Sequence, residues 1–210
     1  MADLVIKPTS GNLIIKDDQN VARLTIAPTS GATTLSGATT LANATMTAGT
    51  IGSGITFPDG HILQVKSTTV TDTPSITSSS QWLDWTGLSV SITPSSASNK
   101  IFITASINVS TASDSAQRLV RGSTPICIGN ASASRRQATS GGNIHRGDHE
   151  MCQFSVNYLD SPNTTSATTY KMQGIDETSE TQWLNRERTD GDEASDSIGA
   201  STITVMEVKA

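Results

Sequence analysis

The residues that could carry chemistry are few, and they collect in two polar stretches. In the run His145-Arg146-Gly147-Asp148-His149-Glu150, two imidazoles stand four apart among two carboxylates. On a helix that spacing would put both histidines on one face, where they could chelate a metal ion. Here the run follows Gly141-Gly142 and contains Gly147, which disfavours a helix. The sequence therefore predicts an exposed loop and no metal. The second stretch carries Asp190, Asp192, Glu193 and Asp196. It lacks the glycine and the closing bidentate glutamate of a calcium loop at the right spacing, so it reads as a solvated acidic loop. Asp17-Asp18, inside Lys16-Asp17-Asp18-Gln19-Asn20, reads as a polar hairpin tip.

Catalysis finds no support in these residues. No G-x-S-x-G nucleophile motif occurs, and abundant serine does not make a triad. A glycosidase pair drawn from 148–150 and 187–196 would need carboxyls about 5–10 Å apart, which the sequence does not supply. Cys127 and Cys152 lack C-x-x-C spacing and sit in strand-like runs, PICIG and MCQFSV, as buried free thiols. Arg146-Gly147-Asp148 matches an adhesion tripeptide over only three residues, and His61 reads as a plain polar residue. Trp82 and Trp85, three apart, should face opposite sides of a strand, one of them in the core. The other, or Trp183 beside the acidic loop, is left for an interface or a sugar ring. No enzyme activity and no cofactor are expected.

Composition sets the frame that must hold these loops. Lys and Arg number 14 against 19 Asp and Glu in 210 residues, a net charge of −5, which argues against a phosphate-binding surface and hence against nucleic acid. Ser and Thr make up 60 residues, which suits polar-faced β structure better than helix. Hydrophobic residues reach 35% and aromatics 4%, thin for a monomeric core and favourable to contacts between copies. No run approaches the ~18 apolar residues of a membrane span. The opening MADLVIKPTSG has Asp3 where a signal peptide carries basic residues, so synthesis in a cytoplasm without a cleaved signal is expected.

From residue 61 onward the chain is a series of short strands. Candidates are 61–70, 81–85, 87–93, 100–110, 116–121, 125–129, 151–159, 167–174, 181–185 and 201–208. Ile101, Ile103, Ala105, Ile107 and Val109 alternate with Phe102, Thr104, Ser106, Asn108 and Ser110. Ile203, Val205 and Glu207 alternate with Thr202, Thr204, Met206 and Val208. A period of two over many strands predicts an antiparallel β-sandwich, jelly-roll-like, over 61–210. Its long loops, 130–149 and 186–200, are where binding residues are usually carried.

Ahead of it lie two repeats. LVIKPTSGNLII at 4–15 aligns with LTIAPTSGATTL at 24–35, each a strand, a turn and a second strand start. Such a β-hairpin module is marginal alone, so 1–29 is expected to attach to another protein. Residues 30–60 run SGATTL, SGATTL, ANATMT, AGTIGS, GITFPDG, with no charge between Arg23 and Asp59. One large apolar residue per unit cannot form a core within one chain. Copies wound together could place Leu35, Leu41, Met46, Ile51, Ile55 and Phe57 on a shared axis, as an intertwined β shaft. Pro58-Asp59-Gly60 then makes a turn into the sandwich.

Several segments resemble a family. TGLSVSITPSSASNK at 86–100, RLVRGSTPICIG at 118–129, YLDSPNTTSATTYKMQ at 158–173, LNRERTDGD at 184–192 and STITVMEV at 201–208 look like a C-terminal domain of virion structural proteins in tailed bacteriophages, notably marine and cyanobacterial ones. SGATTLSGATTL and FPDGHILQV look like a fibre shaft leading into a head. The resemblance implies a homotrimer in the virion, assembled in the host cytoplasm and bound through its N-terminus to other virion proteins. Its role would be that of a tail fibre adhering to host-surface glycan or protein, or alternatively that of a capsid decoration or head fibre protein. On this reading the loops would turn Arg135, Arg136, His145, Arg146, Asp190 and Asp192 toward a receptor. It supplies no catalytic residues and implies no membrane insertion.

Overall fold

The computed structural model describes residues 13–16, 19, 22–26, 33–35, 57–77, 80–143 and 149–210. The chain divides into two units, Met1–Ile55 and Thr56–Ala210. In the first, β1 (Leu13–Lys16), β2 (Ala22–Ile26) and β3 (Thr33–Leu35) form an antiparallel sheet in the order β1-β2-β3. Leu24 lies opposite Ile15 on one side and Leu35 on the other. Among the expected axis residues, Leu35 ends β3. Leu41, Met46, Ile51 and Ile55 lie outside the described residues, as does most of the expected shaft, 36–56. Phe57 belongs to the second unit, where it is half-buried and stacks on His61 with ring centroids 4.2 Å apart.

The second unit is built from alternation. β7 (Lys100–Ser110) buries Ile101, Ile103, Ala105, Ile107 and Val109 and leaves the intervening residues less covered. It pairs with β14 (Ser201–Val208), which buries Ile203 and Val205, and with β11 (Cys152–Asp160), which buries Phe154 and Val156. β4 (Ile62–Val70) flanks β14, while β13 (Thr181–Leu184) and β5 (Ser75–Thr77) continue beside β7. The facing sheet runs β10 (Ser140–Asn143), β8 (Asp114–Arg121), β12 (Thr168–Asp176) and β6 (Leu83–Ile92), with β9 (Thr124–Ile126) also on β8. Every pairing is antiparallel. The orders β4-β14-β7-β11 and β6-β12-β8-β10 are those of the two sheets of a jelly-roll sandwich. Among the described residues there is no helix.

Between the sheets sit Trp85, Leu88, Ile92, Leu119, Tyr170, Met172 and Leu184, all at most 2% exposed. Each such side chain contributes roughly 1.5–3 kcal/mol on burial. Trp85 and Leu88 are three apart yet both point inward, which a regular strand forbids. The cause is a bulge. Register against β12 slips between Lys171, opposite Ser89, and Gln173, opposite Asp84, and Gly87 takes φ +80°, so β6 carries three extra residues there. The two strands expected at 81–85 and 87–93 are thus one strand, and the Trp82 residue just before it lies under the Arg118 guanidinium at 4.3 Å. The sequence reading also missed β5 and β10, each of four residues or fewer.

Buried polar groups fasten the loops. Glu207, fully buried on the inner face of β14, accepts from Gln64 Nε2 (2.6 Å), Ser95 N and Oγ (both 2.7 Å) and Asn99 Nδ2 (2.6 Å). It thereby fixes the 93–99 turn. Asp176 accepts from Ser113 Oγ, Thr111 Oγ1, Thr178 N and Oγ1, and Glu180 N, tying together two loops at the other end. Asp160 takes Arg121 Nη1 on both oxygens (2.8 and 2.9 Å) and the Tyr170 hydroxyl (2.7 Å). Asn185, at φ +62°, donates to Val70 O and Asp72 O and accepts from Ser201 Oγ. In the core, Trp85 Nε1 donates to Gln117 Oε1 and Gln117 Nε2 to Gln182 Oε1.

Candidate functional site

Register gives the sandwich two unlike ends. At one, Ile62, Val208 and Lys100 lie side by side, and the chain comes in at Phe57–His61 beside the 93–99 and 161–167 turns. At the other, Val70 meets Ser201 and Val109 meets both Cys152 and Leu184. There the 71–74, 111–113, 177–180 and 185–200 connections gather.

The second end carries a groove of about 570 Å³ lined by Asp114, Ser115, Arg136, Thr139, Gly141 and Glu177. β10 forms one wall. It can lie against β8 because Gly141 has no side chain: a Cβ there would stand 2.8 Å from the Ala116 Cβ. The loop before β10 is closed at its neck by Gly129 N on Ala138 O (3.2 Å) and Gln137 Nε2 on Gly129 O (2.7 Å). Thr139 Oγ1 accepts from Leu119 N at 2.9 Å. Arg136, half-buried, reaches Glu177 at 3.3 Å, and the buried Ser115 hydroxyl has no hydrogen-bond partner among the described residues. The groove is thus lined by a cation and two carboxylates, groups able to hydrogen-bond a polyhydroxylated ligand.

Other predicted residues are spread around it. Arg135 is exposed and bonds Ser132 through both its amide and Nη1 at 3.0 Å. Asp190 and Asp192 are exposed. Asp190 pairs with Arg186 at 3.2 Å, and the Arg186 guanidinium stacks 3.6 Å above the Trp183 ring. His145 and Arg146 lie outside the described residues. The acidic loop is not wholly solvated. Glu187 is buried and Asp196 half-buried, and both face His149, with one ligand-capable atom of each of the three within 4.8 Å of the others. No pairing of His149 with Glu187 was legible from spacing, because 38 positions separate them.

Cys127 and Cys152 are not joined in a disulfide, and where the sequence predicts buried thiols both are half-buried. Cys127 sits at φ +54°, and burial pushes its thiol up from the usual value.

A second surface lies outside the sandwich, near the end where the chain comes in. Leu159 is opposite Phe102, Phe102 opposite Met206, and Met206 opposite Val65, across four strands. Leu159 is 47% and Val65 53% exposed, and Ile62 beside them 49%. The signal for this row was present in the sequence: Phe102 is followed along its face by Thr104, Ser106 and Asn108, and Met206 is preceded along its face by Thr202 and Thr204.

No protein-family model matches the chain, and no curated protein matches it. Among solved structures it is similar to a chain of infectious bursal disease virus, Gt strain, at 13% identity and a TM-score of 0.40, covering 85% of this chain and 47% of that one. A chain of the Gx strain is similar at 11% identity and a TM-score of 0.35, covering 78% and 44%. The chain spans about half the length of those solved chains, and the likeness is loose. No helix among the described residues is long and apolar enough to cross a membrane.

Proposed function

We propose that this chain is a structural protein of a virus particle, a tail fibre whose sandwich forms a homotrimeric, host-adhesive head. The observation that carries the reading is the division of labour between the two ends. An apolar row, Val65-Met206-Phe102-Leu159, lies near the end of the sandwich where the chain enters at Phe57–His61, a place suited to contact between copies. Charged loops and the Arg136 groove lie at the far end, suited to a partner outside the particle. Jelly rolls serve in viral capsid and lectin domains, which fits both halves of the reading, although a fold alone does not assign a function. The N-terminal hairpin segment would hold other virion proteins, and three weak sites for surface glycan or protein would gain by effective concentration.

Sedimentation equilibrium of the full chain should give three times the 21.9 kDa chain mass, and Phe102→Asp should lower it. Arg136→Ala with Asp190→Ala should reduce binding to host cells at unchanged trimer mass. A folded monomer refutes the fibre reading. A trimer that binds capsid proteins but no cell surface favours a capsid decoration role instead.

A further inference from the structure

The cluster that the adhesion reading leaves unused is His149 with Glu187 and Asp196. We propose that His149 Nδ1, Glu187 Oε2 and Asp196 Oδ1 bind one divalent cation of the zinc class.

Both carboxylates are held in the same way. Glu187 spends Oε1 on the Ser197 amide (3.3 Å) and turns Oε2 toward His149. Asp196 spends Oδ2 on the amides of Gly191 (2.8 Å) and Glu193 (3.3 Å) and turns Oδ1 toward His149. The loop backbone thus fixes one oxygen of each acid and leaves the other free, the arrangement by which outer hydrogen bonds orient metal ligands. Gly191 leaves room for it, since a Cβ there would stand 3.1 Å from Asp196 Oδ2.

The distances also point to an ion between the groups. His149 Nδ1 lies 3.6 Å from Glu187 Oε2 and 3.8 Å from Asp196 Oδ1. These exceed the ~2.7–3.2 Å of a direct hydrogen bond. They are close to the roughly 3.4 Å that separates tetrahedral ligands each about 2.0–2.1 Å from a metal. Glu187, whose side chain is only 9% exposed, aims Oε2 into the cluster, and no hydrogen bond reaches that oxygen from the described residues.

One imidazole and two carboxylates suit a borderline divalent ion with a fourth position open. Calcium would call for six to eight oxygens, and among the described residues two side-chain carboxylates converge here. The loop 186–200 carries five acids against two arginines, a net −3 that attracts a cation. Bound there, the ion would cross-link the residue leading into β11 to the loop that leads into β14, setting the shape of the far end.

The test is calorimetric titration of the full chain with zinc chloride. One ion per chain is expected, with Co²⁺ giving the visible absorption of a low-symmetry site. His149 is 66% exposed, so His149→Ala should leave the fold intact, checked by an unchanged melting temperature in chelator. It should weaken zinc binding by roughly tenfold or more, at least the loss seen when an outer partner is removed. Glu187→Gln should do the same, while His61→Ala and His145→Ala should not. No uptake of zinc, cobalt or manganese overturns the proposal and leaves a plain ion pair. So does uptake that survives His149→Ala.

Discussion

Glu207→Gln isolates what one buried charge does for this sandwich. The carboxylate is fully buried and receives four hydrogen bonds, from Gln64, Asn99 and twice from Ser95. Glutamine keeps the shape but turns one acceptor oxygen into an amide nitrogen. That nitrogen must face a donor, either Gln64 Nε2 or the Ser95–Asn99 group. At least one bond is lost and the others lose their charge. A hydrogen bond to a charged group contributes about 1.5–3 kcal/mol, so a loss of about 2–4 kcal/mol is expected. For a domain of this size that lowers the melting temperature by about 5–15 °C. Burial pushes the Glu207 carboxyl up, but the hydrogen bonds from Gln64, Asn99 and Ser95 outweigh it and hold the group below its usual 4.5. A carboxyl depressed on folding stabilises fully above its unfolded pKa and loses that contribution as pH falls through its folded value. The gap between wild type and variant should therefore be widest near neutral pH and close below about pH 4.5. Thermal melts followed by tryptophan fluorescence, at one chain concentration because association shifts the midpoint, measure both effects. A variant melting within about 2 °C of wild type at pH 7, or a gap that stays constant into acid, would refute the reasoning.

Two further substitutions probe the interior. Gly174→Ala would place a Cβ 2.7 Å from Ile76 Cδ1, 3.0 Å from Gln117 Oε1 and 3.1 Å from Trp85 Nε1, disturbing the Trp85–Gln117–Gln182 chain. A loss of about 1–3 kcal/mol in urea unfolding is expected, with a shift in tryptophan emission; an unchanged spectrum and midpoint would mean the site has slack. Arg121→Ala strips Asp160 of its cation and should cost about 2–4 kcal/mol, with part recovered in the Arg121→Met, Asp160→Asn pair. Equal stability of all three proteins would show that the pair is structurally idle.

What the sequence disclosed depended on how local the cause was. The inward face of β7 follows from alternation within eleven residues, and so does the placement of Glu207 beside Ile203 and Val205. The purpose of Glu207 was hidden, because its donors Gln64, Ser95 and Asn99 come from a strand and a turn more than a hundred residues earlier. β6 was read as two strands because its bulge interrupts the period at Gly87, where the alternation restarts one residue late. β10 was lost in a loop because Ser-Gly-Gly-Asn has no strand propensity; its pairing rests on a glycine that lets the two backbones approach. For the candidate site, both loops were visible as polar segments. The spacing of His145 and His149 nonetheless drew attention to a neighbour in sequence, whereas the groups facing His149 arrive 38 and 47 residues later.

The antiparallel ladder between β4 and β14 has a mechanical consequence. Tension applied where the chain comes in at Phe57 and resisted at the far loops runs along β4, parallel to its axis. The pairs from Ile62–Val208 to Val70–Ser201 then bear load together, in shear. Pulling from the other end of β14, at right angles, would instead open the same bonds one after another. Shear makes rupture wait for many hydrogen bonds at once, so the lifetime under force is set by an unfolding barrier and not by equilibrium stability. Load that enters the sandwich through the first residues of β4 therefore meets this ladder in shear.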